Sequence, residues 1–152
     1  MPEILTRHLF TLRAQAGETQ QVGETPLGKR IIVPIVSGSF EGERLRGTLE
    51  PGGADWMTLR RDGVTALDVR LVLRTDDGAQ IMLTYHGLRH GPPEVMARLA
   101  QGELVEASEY YLRTTLYFET SAEKYLWLNR LVAVATGQRP PTGPIYDVFE
   151  VL

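Results

Sequence analysis

Arg113, Glu119 and Asn129 fall within residues 110–129, YYLRTTLYFETSAEKYLWLN, among six aromatic rings. A guanidinium, a carboxylate and an amide set among bulky apolar neighbours are costly to bury without partners. Together they point to a polar cluster inside a mostly apolar pocket. Alternation along a strand puts residues two apart on one face. Read that way, residues 109–120 place Tyr111, Arg113, Thr115, Tyr117 and Glu119 on one face. Tyr110, Leu112, Thr114, Leu116 and Phe118 share the other, which belongs in a core or an interface. On the first face Arg113 can grip an anionic group by a two-pronged contact. Glu119 can serve as a general base there, or simply as a distant counter-charge to Arg113. The plainer structural alternative is a satisfied polar ladder on a barrel wall.

Further candidates come from other segments. Asp55 and Trp56 follow the double glycine Gly52-Gly53, a turn that can aim Asp55 at a pocket mouth as an acid or base. An Asp in such a position also caps its own turn. Trp56 can stack on a flat ligand or pack in the core. In residues 64–75, Leu67, Val69, Leu71 and Leu73 form a buried face. Asp68 and Arg70 share the opposite one, so Arg70 faces either a polar-lined cavity or solvent in a cross-strand ion pair. Tyr85 continues the face of Ala79, Ile81 and Leu83 and can place its hydroxyl in a cavity or at its rim. Tyr125, Trp127 and Asn129 share a face if residues 125–137 form a strand. Trp127 then packs in the core or against a ligand, and Asn129 can hydrogen-bond a ligand carbonyl. The candidate proton-transfer groups are therefore Asp55 and Glu119. The candidate ligand-binding groups are Trp56, Arg70, Tyr85, Tyr111, Arg113, Trp127 and Asn129.

Several chemistries lack their residues. The chain has no cysteine, which removes disulfides, thiolate nucleophiles and cysteine metal sites. Its histidines, His8, His86 and His90, lack helical metal-ligand spacing, so no metal or other cofactor is expected. No Gly-x-Ser-x-Gly elbow or dinucleotide fingerprint occurs. Residues 23–30, GETPLGKR, mimic a phosphate loop but end in arginine where Ser or Thr is required. A net charge of −3 argues against a nucleic-acid partner held by phosphate contacts. No apolar run is long enough to span a bilayer, and the charged opening lacks a secretory apolar core. The expectation is a cytoplasmic protein without a membrane partner.

The elements that must hold these groups are strands. At 152 residues, 43% hydrophobic and 23% charged, the chain suits one globular domain over 1–152. Fifteen glycines and nine prolines punctuate it. Strands are predicted over 5–14, 30–36, 56–61, 64–75, 79–88, 109–120, 125–137 and 145–151, with Gly/Glu/Thr-rich residues 17–28 as a loop. Gly38, Gly42 and Gly47 mark a bent region between strands. Asp62-Gly63 and Asp76-Asp77-Gly78 are hairpin turns. Residues 92–101 form a short helix, opened by prolines and ended by Gly102. Its simplest role is a lid or plug over one end of a barrel. About nine or ten strands with one short helix make an all-β fold. Closing the sheet into an antiparallel β-barrel removes its edges; a sandwich is the alternative, and long strands joined by hairpin turns favour the barrel.

GGADW at 52–56, DGV at 62–64, LDVRLVLRTDDGAQI at 67–81, YHGLRHGPPEVM at 85–96, YYLRTTLYFET at 110–120 and KYLWLN at 124–129 resemble a known bacterial family. It is the domain-of-unknown-function family three-two-three-seven, an uncharacterised protein family. The resemblance spans roughly residues 3–152 and implies a small closed β-barrel, similar to lipocalin-type barrels and often oligomeric. No single activity defines the family. The function expected is a barrel binding a small molecule in a polar and aromatic pocket. A cofactor-independent acid–base enzyme (isomerase, cyclase, hydratase or lyase) and a structural homo-oligomer are the alternatives.

Overall fold

The computed structural model describes residues 2–152. The strands are β1 (Thr6–Ala16), β2 (Gln20–Thr25), β3 (Gly28–Glu41), β4 (Arg46–Leu49), β5 (Gly53–Leu59), β6 (Thr65–Thr75), β7 (Gln80–His90), β8 (Tyr111–Glu119), β9 (Ala133–Gln138) and β10 (Ile145–Val151). Helix α1 (Pro93–Ala100) and two 3₁₀ helices, Ala107–Glu109 and Glu123–Arg130, complete the chain.

Every strand pairing is antiparallel, and the sheet closes on itself. β1 pairs β10 on one side and the second half of β3 on the other. The circuit continues from β10 through β9, β8 and β7 to β6. β4 and β5 together fill the place between β6 and β3. The expected barrel is therefore present. The predicted hairpins hold at both turns: Gly63 and Gly78 take positive φ of 87° and 90°, the left-handed region that glycine enters without steric cost.

Two segments depart from the sequence expectation. The predicted loop at 17–28 contains β2, which pairs the protruding first half of β3. The predicted strand at 125–137 is instead the 3₁₀ helix Glu123–Arg130 followed by the short β9. Tyr125 and Leu128 are its buried residues. They are three apart, which puts both on one side of a 3₁₀ turn and on opposite faces of a strand.

That 3₁₀ helix plugs one end of the barrel. The Tyr125 hydroxyl donates to Asp77 Oδ1 at 2.9 Å, and Lys124 Nζ reaches Asp77 Oδ2 at 3.1 Å. Thr75 donates to the same carboxylate. The hydrogen bond from Thr75, then those from Tyr125 and Lys124, lower the Asp77 pKa to about 2. Nearby, Glu150 is buried between Arg7, at 2.6 Å, and Arg44. Arg44 also lies over the Trp127 ring, 4.3 Å from its centroid. Above the plug, Phe10 packs edge to face with Phe40 and Phe118. α1 links β7 to β8 at the opposite end, where it buries Val95 and packs Leu99 against the core. Among the described residues, no helix is long and apolar enough to cross a membrane.

Candidate functional site

The inner wall changes character from one end of the barrel to the other. On β7 the inward residues run Ile81, Leu83, Tyr85, Gly87 and Arg89, from aliphatic near the plug to cationic at the far end. The same end receives the start of β6 and β8 and the ends of β5 and β9. This is where polar side chains from distant strands meet.

Asp55 enters from β5 and pairs Val69 on β6, while Tyr85 pairs Val69 from the other side. Asp55 and Tyr85 therefore stand at one level of the wall, with Val69 between them. Asp55 is 7% exposed, and its Oδ1 accepts the Asp68 N–H at 3.0 Å. Burial is the main influence on its carboxyl and lifts the pKa to about 6, against the Asp68 hydrogen bond and the opposing charge of Arg89. Tyr146 from β10 meets Tyr85 edge to face, ring centroids 5.3 Å apart. Burial pushes both phenols up, and the Asp55 charge adds to this.

Space for the Tyr146 ring depends on Gly137. A Cβ there would lie 2.8 Å from Tyr146 Cε1 and 2.6 Å from Leu112 Cγ. At Gly87 a Cβ would fall 2.5 Å from Thr114 Cγ2. Small residues at these inward positions let bulky or polar neighbours occupy the lumen.

Arg89 and Arg139 supply the positive charge. Burial, more than any neighbour, lowers the Arg89 pKa from its ordinary value. The Arg139 guanidinium donates to the Pro140 carbonyl at 2.7 Å, and its backbone N–H donates to the Tyr110 hydroxyl at 2.7 Å. Both arginines act electrostatically on Asp55. Three buried polar atoms on this wall have no hydrogen-bond partner among the described residues: Thr65 Oγ1, Arg89 Nε and Thr114 Oγ1. Thr65 pairs Arg89 directly, and Thr114 pairs Gly87. Buried polar groups are nearly always satisfied, so a local concentration of unsatisfied ones marks a place where something else supplies the partner.

Of the nine residues singled out from the sequence, Asp55 and Tyr85 face this end. The others lie elsewhere. β8 alternates as predicted, but its buried parity is Leu112, Thr114, Leu116 and Phe118. Tyr111, Arg113 and Glu119 consequently point outward, because closing the barrel buries the more apolar face. Arg113 donates to the Leu112 carbonyl at 2.8 Å and lies over the Tyr111 ring. Arg70 is exposed on the outer face of β6, for the same reason of parity. Trp56 alternates with inward Asp55 and is 37% exposed. Trp127 belongs to the 3₁₀ plug, with Nε1 donating to Lys124 O at 3.1 Å. Asn129 ties the plug to the chain: it accepts from Thr120 N at 2.8 Å and donates to Thr120 O at 2.9 Å.

Arg89, Arg139, Tyr146, Tyr110, Thr65 and Thr114 were not among those nine. The signal for Arg89 was present, since it continues the inward parity of Ile81, Leu83 and Tyr85. Tyr146 likewise shares the buried parity of Val148 and Glu150. A shallow open groove of about 840 Å³ lies on the outer wall. Ala66, His86, Leu88, Arg113, Val134 and Phe149 border it. It is predominantly apolar; Thr114 borders it, whereas Asp55, Thr65, Tyr85, Arg89 and Tyr146 do not. Buried Asp55, Tyr85 and Tyr146 thus lie on the inner wall, apart from this groove.

A family model described as "Protein of unknown function (DUF3237)" matches residues 5–151. A UPF0311 protein from Bradyrhizobium diazoefficiens is 36% identical over 151 residues, covering 99% of each chain. The crystal structure of a conserved protein of unknown function from Rhodopseudomonas palustris superposes with a TM-score of 0.96 at 34% identity, covering 100% of both chains. A beta-barrel like protein from Acinetobacter baumannii superposes with a TM-score of 0.87 at 39% identity, covering 100% of this chain and 98% of that one.

Proposed function

We propose, starting from the fact that this chain belongs to the protein family of unknown function DUF3237, that its barrel binds a small organic molecule at the polar inner end. The ligand carries an acidic oxygen and an apolar body. The observation that carries this reading is the unpartnered Arg89 Nε beside the unpartnered hydroxyls of Thr65 and Thr114. A buried donor left without an acceptor costs on the order of 1–3 kcal/mol. A ligand oxygen that accepts from Arg89 removes that cost, so the site favours an anion or a strong acceptor.

The apolar part of the ligand is matched by the half-buried Ile31, Val33 and Met57 on β3 and β5. These three share the inward parity of Asp55 through the pairs Val33–Asp55 and Ile31–Met57. A cationic rim, phenols and aliphatic walls suit an aromatic or cyclic acid better than a sugar or an inorganic ion.

A panel of aromatic carboxylates, read by thermal shift, tests the assignment. The expected result is a rise in melting temperature for one or more acids, lost in Arg89→Met and kept in Arg113→Met. Saturation at 100 times the Kd stabilises a protein by about 2.7 kcal/mol, which such an assay resolves. Loss of the shift in Arg113→Met, with Arg89→Met unaffected, would move the site to the outer groove.

A further inference from the structure

The inner end holds more than a binding site needs. A ligand anion calls for the arginines. It does not call for a carboxylate beside them, which repels that anion when ionised. Asp55 nevertheless stands at the level of Tyr85 on the inner wall and within the field of Arg89 and Arg139. Its Oδ1 is fixed by the Asp68 N–H. Its Oδ2 takes no hydrogen bond from the described residues. One oxygen is thus anchored and the other is free to exchange a proton.

We propose that this end of the barrel is a proton-transfer site for small carbonyl compounds with an acidic C–H next to the carbonyl, with Asp55 as the base and Arg89 as the group that holds the enolate oxygen. The inference rests on the binding reading above and adds to it a substrate class and a reaction. Asp55 Oδ2 takes the proton from the carbon adjacent to the carbonyl. The C–H bonding pair becomes the new carbon–carbon π bond, and the carbonyl π pair moves onto oxygen. The oxygen accepts from Arg89 Nε. The neutral Asp55 carboxyl then returns its proton to the same carbon or to a conjugated one. No oxidant, reductant or second substrate is consumed, and the base is regenerated.

The surroundings suit both halves of this step. A carboxylate partly stripped of water is a stronger base than one in bulk solvent. An Arg89 Nε already buried and without a partner among the described residues can take up developing negative charge with little reorganisation. The charged and titratable groups that face Asp55 are Asp68 on β6, Arg89 and Tyr85 on β7, Tyr146 on β10 and Arg139 beyond β9. Tyr85 and Tyr146 pack against each other and act as positioning residues. Raising the Asp55 pKa to about 6 places its working range at neutral pH, where most of it is ionised and ready to accept a proton.

The experiment is hydrogen–deuterium exchange in D2O, followed by NMR at the carbon next to the carbonyl. The probes are phenylpyruvate, 4-hydroxyphenylpyruvate and the uncharged ketone α-tetralone. Binding of each probe is measured in parallel by thermal shift. The expected result is exchange faster than in buffer for at least one probe, rising with pH through about 6. Asp55→Asn should bind that probe and lose about 10²–10⁴-fold of the acceleration, the usual range for one acid–base group. Arg89→Met should lose both binding and exchange, and Arg113→Met neither. A wild-type protein that binds the probes without accelerating exchange overturns the proton-transfer proposal and leaves the binding reading standing. Exchange undiminished in Asp55→Asn overturns the role of Asp55. Failure of the wild type to bind these probes or any aromatic acid overturns the binding reading and this one with it.

Discussion

Thr65 and Arg89 are cross-strand partners on the inner wall, and neither Thr65 Oγ1 nor Arg89 Nε has a hydrogen-bond partner among the described residues. Two adjacent unsatisfied groups are a local cost to folding that a ligand can offset. Replacing the threonine hydroxyl by a methyl group removes one of them at nearly constant volume. Thr65→Val is therefore expected to raise unfolding stability by about 1 kcal/mol, measured in urea, while weakening aromatic-acid binding. A loss of stability in this variant would mean the hydroxyl is satisfied after all.

Asp55 couples the site to pH. Burial raises its folded pKa to about 6, above the ordinary 3.8 of an aspartate. The folded state therefore binds the proton more tightly than the unfolded chain. The stability associated with the neutral carboxyl is fully present below about pH 4 and lost as pH rises through about 6. The span corresponds to about 3 kcal/mol. Asp55→Asn cannot ionise, so its advantage over the wild type should grow between pH 4 and pH 8. Denaturant melts across that range would show it, and a pH-independent difference would count against the shift.

Gly137 stands where a side chain would strike Tyr146 and Leu112. Gly137→Ala should overpack this layer and cost about 1–3 kcal/mol. The displaced Tyr146 ring should also weaken binding at the inner end. Near-UV circular dichroism and a thermal melt are the appropriate measurements. Unchanged stability would show that Tyr146 is free to move aside.

Arg113 and Glu119 are exposed on the outer wall. Arg113→Met and Glu119→Gln are expected to change stability by no more than about 0.5 kcal/mol and to leave aromatic-acid affinity as it was. Isothermal titration of the two variants decides this. A marked loss of affinity in either would return function to the outer face.

Asn129 serves the fold through its two hydrogen bonds to the Thr120 backbone. Asn129→Ala should destabilise by about 1–2 kcal/mol without altering ligand affinity. If affinity fell while stability held, the plug end would have to be part of the binding site.

Local signals carried much of the fold. Asp62-Gly63 and Asp76-Asp77-Gly78 specify their hairpins because glycine there adopts a positive φ that a side chain would penalise. The alternation of Leu67, Val69, Leu71 and Leu73 specifies the inner face of β6, because burying them removes apolar surface from water. Prolines 92 and 93 and Gly102 bound α1 closely. Tyr125 and Leu128, three residues apart, also carried the 3₁₀ turn that alternation alone misread as strand.

The candidate site was legible only in part. Alternation says that Tyr111, Arg113 and Glu119 share a face; it does not say which side of a closed wall that face is on. Closure decided it, by burying the parity with less polar surface and leaving the charges in water. The meeting of Asp55, Tyr85, Arg89 and Tyr146 depends on register between strands far apart in the chain. Those contacts form only when the sheet closes through β1, β3 and β10. Local patterning specified most of the strands, the hairpins at Asp62-Gly63 and Asp76-Asp77-Gly78, and which side chains of a strand share a face, but not β2 or the 3₁₀ helix Glu123–Arg130. Tertiary structure decided which of those faces enclose the lumen and which distant groups share it, because that choice is made by the free energy of the whole barrel and not by any single strand.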